Sequence, residues 1–381
     1  MAETAGITTE CICEKYRHGR VTVSVVKHSE FKEYYINIAL SGAADLPSAL
    51  VETFGYLRKS KAKIISQMVF GDCASKEKVI KKTVELNGSV DWPVMAMDHD
   101  SGEHYQLSGM QFVAVSGVPV KELKIKETVL GFTFEDKNAK YAYLTDVRPS
   151  VISKSKEEQT KEVYEKALLL LKQAGMDFSN VVRAWFYLDR LLSWYKEFNN
   201  IRTGFYNKND VFTKLVPAST GIGARNPEGA KLVTGFYAVK PKNQSVSVFK
   251  VDSPLQSEAI NYESAFSRAV EITTAESRKL LISGTASITK DGASTHMGEL
   301  EKQLELTMEI VEEILKARSM VWENVTRAIL YFRNRDAASA FRRYCEKNAI
   351  PVFPAVTVYS TVCREELLFE IEVDAIAEVS R

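Results

Sequence analysis

The feature that most constrains this chain is an internal repeat. Residues 180–188 read "NVVRAWFYL" and residues 324–332 read "NVTRAILYF", a spacing of about 144 residues. Similarity at a fixed offset means that one supersecondary unit is reused, so a reading of the fold has to start there. Each segment is preceded by a long amphipathic helix and followed by another. Before the first, Val163, Ala167, Leu170, Leu171 and Ala174 recur at helical spacing and Gly175 supplies a stop. Before the second, Leu300, Leu304, Met308, Val311 and Leu315 do the same. A Pro-marked strand comes next, "VPASTGIGA" from 216 and "FPAVTVYST" from 353, and then a closing strand, "AKLVTGFYAV" from 230 and "LLFEIEVDAI" from 367.

A fainter copy precedes these two. "AKIISQMVFG" from 62, a helix "KEKVIKKTVELNG" from 76, "DWPVMAMD" from 91 and "YQLSGMQFVAV" from 105 follow the same order, with Pro93 standing where Pro217 and Pro354 stand. The expectation is three β/α repeats over 20–120, 122–242 and 255–381, with "VKPKNQSVSVFKVDSPLQ" linking the last two. The fold class is α/β, with mixed sheets. Each copy offers helices to one sheet face, so the other face must be covered. Three linked copies can cover it by packing their sheets around a shared axis, as an internal pseudo-trimer. Such a chain is a monomer with internal pseudo-threefold symmetry, or a weak homo-oligomer.

Charge narrows the function. Fifty basic against 49 acidic residues leave a net charge of +1, and no basic block or Arg/aromatic stripe is present to track a phosphate backbone. No nucleic-acid partner is expected. No stretch approaches the roughly 18 apolar residues that span a bilayer, and the first 20 residues lack a signal-peptide core, so no membrane role and a cytoplasmic location are expected. Five cysteines without CxxC pairs fit a reducing compartment. Cys11 with Cys13, and His99 with His104, have no further ligands at metal-site spacing, so neither a metal nor a cofactor is expected.

The closing strand of the third copy alternates strictly. Phe369, Ile371, Val373 and Ala375 point one way, and Glu370, Glu372 and Asp374 point the other. Aligning the closing strands through Ala114, Ala238 and Ala375 puts Gly109 and Val233 opposite Glu370, and Gln111 and Gly235 opposite Glu372. Only the third copy is acidic there. A solvated face would be polar in all three, so Glu370 is expected to face a cleft between repeats, with an exposed acidic stripe as the alternative. Burial and the like charge of Glu372 would both raise the Glu370 pKa above its ordinary ~4.3.

These residues carry a resemblance. The long helix, "NVxRxxxYF", the "P-A" strand and "EIEVDAIA" resemble the YjgF/RidA superfamily, of trimeric β/α folds with sites in the clefts between sheets. Within it, "SPLQSEAINYESAFSRA" from 253, "SGTAS" from 283 and "VCREELLFEIE" from 362 are most similar to the chorismatases, which remove pyruvate from the enolpyruvyl ether of chorismate. The resemblance implies that Glu370 is the general acid, with Glu372 beside it. It implies a small carboxylate substrate bound by Arg268, Arg202 with Tyr195, and Arg183, with Tyr262 and Cys363 lining the pocket and Ala286 and Gly284 leaving room for a ring. The ring product is open between a dihydroxycyclohexadiene carboxylate and a hydroxybenzoate. "AINYESA" departs from the family's Pro- and Arg-containing aromatic segment. Pro354-Ala355-Val356-Thr357 lacks the Arg that imine deaminases of the superfamily carry there. Enamine/imine deamination and noncatalytic binding are the alternatives.

Overall fold

Three times along the chain the same order of elements appears, three antiparallel strands and then two helices threaded between three more. The computed structural model describes residues 12–99, 107–262 and 264–379. The first unit contains β1 (Cys13–His18), β2 (Val21–Lys27), β3 (Lys32–Ala39), α1 (Leu46–Lys59), β4 (Lys63–Gly71), α2 (Ser75–Asn87), β5 (Val94–His99) and β6 (Gly109–Ser116). The second contains β7 (Lys121–Ile125), β8 (Thr128–Glu135), β9 (Ala139–Val147), α3 (Lys156–Gln173), β10 (Val181–Leu188), α4 (Tyr195–Lys208), β11 (Ala218–Arg225) and β12 (Leu232–Pro241). The third contains β13 (Ser247–Val251), β14 (Ala269–Thr273), β15 (Ser277–Ala286), α5 (Leu300–Ala317), β16 (Val325–Phe332), α6 (Arg335–Lys347), β17 (Ala355–Tyr359) and β18 (Phe369–Glu378). Strand order is the same in each: β1-β2-β3-β6-β4-β5, β7-β8-β9-β12-β10-β11 and β13-β14-β15-β18-β16-β17.

Local sequence explains the helices. Ser155 and Glu158 form a reciprocal capping box at the start of α3, and Gly175, at φ 69°, follows its end. Val163, Ala167, Leu170 and Leu171 are buried against β10 and β12 neighbours such as Phe186 and Phe236, and Leu304, Met308, Val311 and Leu315 are buried beneath α5. Phe112, Phe236 and Val373 occupy corresponding ladder positions, opposite Gln67, Ala184 and Ala328. The segment read as a linker differs from that reading: it begins inside β12 and contains β13. β13 is five residues long and exposed at Ser247, Phe249 and Lys250, too short a run for periodicity to reveal it.

The sheet faces turned away from the helices are buried too. Tyr35, Phe70, Tyr143, Trp185, Tyr237, Leu281 and Ile329, from all three units, belong to one apolar cluster. The fifth strand of each unit lies against the third strand of the next: β5 on β9, β11 on β15, and β17 on β3. β5 also pairs with β11 through Asp98 and Arg225, which merges two sheets into one of twelve strands. Among the described residues no helix is long and apolar enough to cross a membrane.

One contact between units is a buried ion pair. Lys279 on β15 donates to Glu33 on β3 at 2.6 Å, both nearly inaccessible, and His28 lies 3.1 Å from the same carboxylate. Burial would raise the Glu33 pKa, but Lys279 and His28 outweigh it and bring it to about 2. A carboxylate with a depressed folded-state pKa contributes stability that is full above its unfolded value of 4.5 and is lost as pH falls towards 2. Glu33→Gln, which strands the Lys279 charge, is expected to cost about 3–5 kcal/mol in urea unfolding at neutral pH and to flatten the acid limb of the stability curve.

Candidate active site

A register irregularity recurs in the three central strands, at Ile64/Ser66, Val181/Arg183 and Val325/Arg327. An extra residue of this kind re-aims the side chains beyond it. Here it turns Arg183 and Arg327 to the sheet face opposite the helices, where β18 presents its acids. The acidic stripe is therefore not solvated: Glu370, Glu372 and Asp374 are 4%, 0% and 6% exposed. The exposed-stripe alternative fails because the sheets of other units cover that face.

Glu372 is the hub. It accepts from Arg183 Nη2 at 3.0 Å, Arg327 Nη2 at 2.7 Å, Trp185 Nε1 at 2.9 Å and Tyr331 Oη at 3.3 Å. Arg327 also donates to Asp374 at 2.9 Å and to Gln111 of the first unit at 2.8 Å. Burial alone would raise the Glu372 pKa, yet the two arginines outweigh it and hold the group ionised. Glu370, one pleat along the same strand face, gets the opposite treatment. Burial first, and then the fixed charge of Glu372, push its pKa up to about 8 against a weaker pull from Arg183. Among the described residues no hydrogen bond or ion pair holds its carboxyl. Two glutamates from one stripe are thus driven apart, one kept as an anion and the other as a neutral acid.

Glu370 borders a narrow cavity of about 50 Å³ between the second and third units, lined by Tyr195, Arg202, Ser219, Gly221, Phe266, Arg268, Gly284, Ala286, Cys363 and Arg364 among others. Gly284 leaves room for the carboxyl: a Cβ there would lie 2.0 Å from Glu370 Oε1 and would displace it. Arg202 is 1% exposed and packs over Phe186 and Phe198; it donates to Asn199 at 2.7 Å, and among the described residues no carboxylate pairs with it. Arg268, equally enclosed, donates from Nε to the Ser257 carbonyl and lies over the Phe266 ring. Arg364 donates to Ser294. Three guanidinium groups therefore approach one neutral acid. Burial raises the Cys363 thiol to about 12, which makes it an unreactive wall residue at neutral pH.

Glu370, Arg268, Arg202, Tyr195, Ala286, Gly284 and Cys363 are brought together around this cavity. Arg183, expected as a substrate ligand, is instead fully buried behind the wall and spent on Glu372 and the Ile282 carbonyl. Glu372 likewise lies behind Glu370 without reaching the cavity surface. Tyr262 ends the short turn Ala259–Tyr262, and its side chain lies outside the described residues, as do Cys11, His104 and the His99 side chain. Arg364 also lines the cavity, and its only signal in the sequence is its place beside Cys363 in "VCREELL". A larger groove, about 920 Å³ between α3 and α4, is lined by Leu168, Trp194, Ile201 and Phe205 beside Lys156, Glu157, Lys161 and Glu165, and Glu370 is not part of it.

The other two equivalent clefts are filled at the position that corresponds to Glu370. Register places Gly109 and Val233 at the position of Glu370, opposite Phe70 and Tyr187 as Glu370 is opposite Tyr331. Between the first and second units, Asp146 stands where Gly284 stands, within an ion cluster with Lys76, Arg148 and Glu228. Between the third and first, Val356 Cγ1 fills the space a Cβ at Gly109 would need. Glu372→Gln is expected to move the Glu370 titration midpoint from near 8 towards acid, by removing a like charge and releasing Arg183 to act on Glu370. Carboxyl ¹³C NMR of glutamate-labelled protein reads this directly.

No family model matches the chain. It is 26% identical over 242 residues, 56% of this chain and 68% of the other, to a 3-hydroxybenzoate synthase of Streptomyces hygroscopicus. A chorismatase crystal structure superposes over 92% of this chain and 100% of its own, with a TM-score of 0.62 and 16% identity. The Rid-family protein YyfA from Yersinia pestis matches 34% of this chain and 98% of its own, with a TM-score of 0.29 and 21% identity. The chain resembles the chorismatases in sequence and shares the fold of the chorismatase structure.

Proposed function

We propose that this protein is a chorismatase-like enzyme that cleaves the enolpyruvyl ether of chorismate by proton transfer from Glu370. The observation that carries the reading is a buried carboxyl, raised to about 8, facing a cavity into which Arg202, Arg268 and Arg364 converge. The similarity to a 3-hydroxybenzoate synthase and to a chorismatase supports the substrate class. The three units, with one strand order and contacts that close on themselves, support an internal trimer whose sheets share an axis, with the active site in the cleft between the second and third units.

The chemistry asks for what the site offers. Cleavage begins when the methylene carbon of the enol ether takes a proton, which leaves an oxocarbenium ion and a glutamate anion. Water attacks that ion and returns a proton to the carboxylate, and the hemiketal collapses to pyruvate and a ring alcohol. An ordinary glutamic acid is ionised at neutral pH and cannot start this sequence. Glu370 can, because its carboxyl is buried and Glu372 remains charged behind it. Arg268, Arg202 and Arg364 would hold two substrate carboxylates, for which the planar guanidinium is suited. At about 50 Å³ the cavity is smaller than a ring, so its wall must yield for the substrate to enter.

Incubation with chorismate and enzymatic detection of pyruvate tests the reading. The wild type is expected to release pyruvate, with activity full while Glu370 is protonated and lost as pH rises through about 8. Glu370→Gln keeps shape and polarity but cannot give a proton to carbon, so release should fall at least ~10²-fold while ligand binding is retained. Equal rates in the two proteins would remove Glu370 from the reaction, and a wild type that binds chorismate without releasing pyruvate would make the protein a binder.

A further inference from the structure

Strand β11 forms one wall of the Glu370 cavity, and it carries hydroxyls where the other units do not. The ladder positions opposite Gln67, Ala184 and Ala328 put Ser219 where the other units have Val94 and Ala355, and the next positions put Thr220 where they have Met95 and Val356. Successive side chains point to opposite faces of a strand. Thr220, on the face towards Arg183, accepts from the Gly284 backbone N–H at 3.1 Å. Ser219, with Gly221, lines the cavity and is 4% exposed. Its backbone N–H donates to Ser283 Oγ of the third unit at 2.9 Å, and Ser283 in turn donates to the Ser267 carbonyl, so the strand is pinned where the two units meet. The Ser219 hydroxyl has the Pro217 carbonyl as its acceptor, at 3.5 Å, which leaves the lone pairs of Oγ unused.

We propose that Ser219 holds the water that attacks the oxocarbenium ion, an inference that rests on the chorismate-cleaving reading above. A water whose oxygen forms the new bond to carbon needs acceptors for its two hydrogens. Arg202, Arg268 and Arg364 only donate, and the Cys363 thiol is a weak acceptor. The Glu370 carboxylate, once it has given its proton to the methylene carbon, takes one of the two hydrogens. Ser219 Oγ accepts a hydrogen bond from the other, which stays on the hemiketal hydroxyl when the C–O bond has formed. Ser264 and Tyr195 also bring hydroxyls to the wall, but from the connection before β14 and from the first turn of α4, whereas Ser219 is fixed within a sheet.

Chorismate turnover in D2O, followed by mass spectrometry of the unreacted chorismate alongside pyruvate detection, tests this. When capture of the ion is slow, its methyl group can return a proton to Glu370, and deuterium stays behind on carbon. Ser219→Ala is expected to release pyruvate about tenfold more slowly, the weight of one hydrogen bond, and to leave more deuterium in the enolpyruvyl methylene of the recovered chorismate than the wild type does. Ser219→Thr keeps the hydroxyl and should release pyruvate faster than Ser219→Ala. Wild-type release by Ser219→Ala, slower release with no added deuterium in the recovered chorismate, or Ser219→Thr no faster than Ser219→Ala would each overturn the proposal. A wild type that releases no pyruvate would overturn the chorismate-cleaving reading itself.

Discussion

A single buried carboxylate, Glu372, ties the structure together. An ionised side chain without access to water is tolerated only when cations and hydrogen bonds replace its hydration. Those replacements come from two units at once: Arg183 and Trp185 from β10, and Arg327 and Tyr331 from β16, with Gln111 of the first unit bracing Arg327. Removing one unit would leave unpaired charge in the shared core. The polar cluster therefore fixes how the sheets meet, whereas the apolar faces around it are satisfied by any close packing.

The same cluster sets the chemistry of its neighbour. Because Arg183 and Arg327 are consumed by Glu372, little positive field is left to ionise Glu370, and the fixed negative charge next to it keeps the proton on. The acid and the architecture are thus one arrangement. Its cost is carried by small residues: Gly284 gives the carboxyl its space, and Gly221 approaches the Tyr195 hydroxyl so closely that a Cβ would lie 3.2 Å from it.

Three related clefts have taken three courses. One keeps the acid and the arginines. In another, Asp146 adopts a positive φ of 61° and joins an internal ion cluster, so the charges that would meet a ligand meet each other. In the third, Gly109 and Val356 close the inner part. Divergence of this kind is open to a single chain, since each repeat can change alone, and is closed to an assembly of identical subunits.

How much of this was legible in the sequence follows from the range of the forces involved. Helical and strand periodicity act over a few residues, so the buried faces of α3 and α5 and the alternation of Phe369 to Ala375 could be read directly, and the broken acidity among Gly109, Val233 and Glu370 could be read by comparing repeats. Edge strand β13 could not, because its five residues are mostly exposed and too few to mark a buried face. Nor could the role of Arg183: an arginine repeated in two copies looks the same whether it meets a ligand or a buried glutamate. By itself the sequence determined the repeated unit, the apolar faces and the odd acidic strand. Only the tertiary structure decided that Glu372 is paired and Glu370 is left neutral, because that choice is made by arginines on other strands, and electrostatics in a dry interior depends on distance through space and not along the chain.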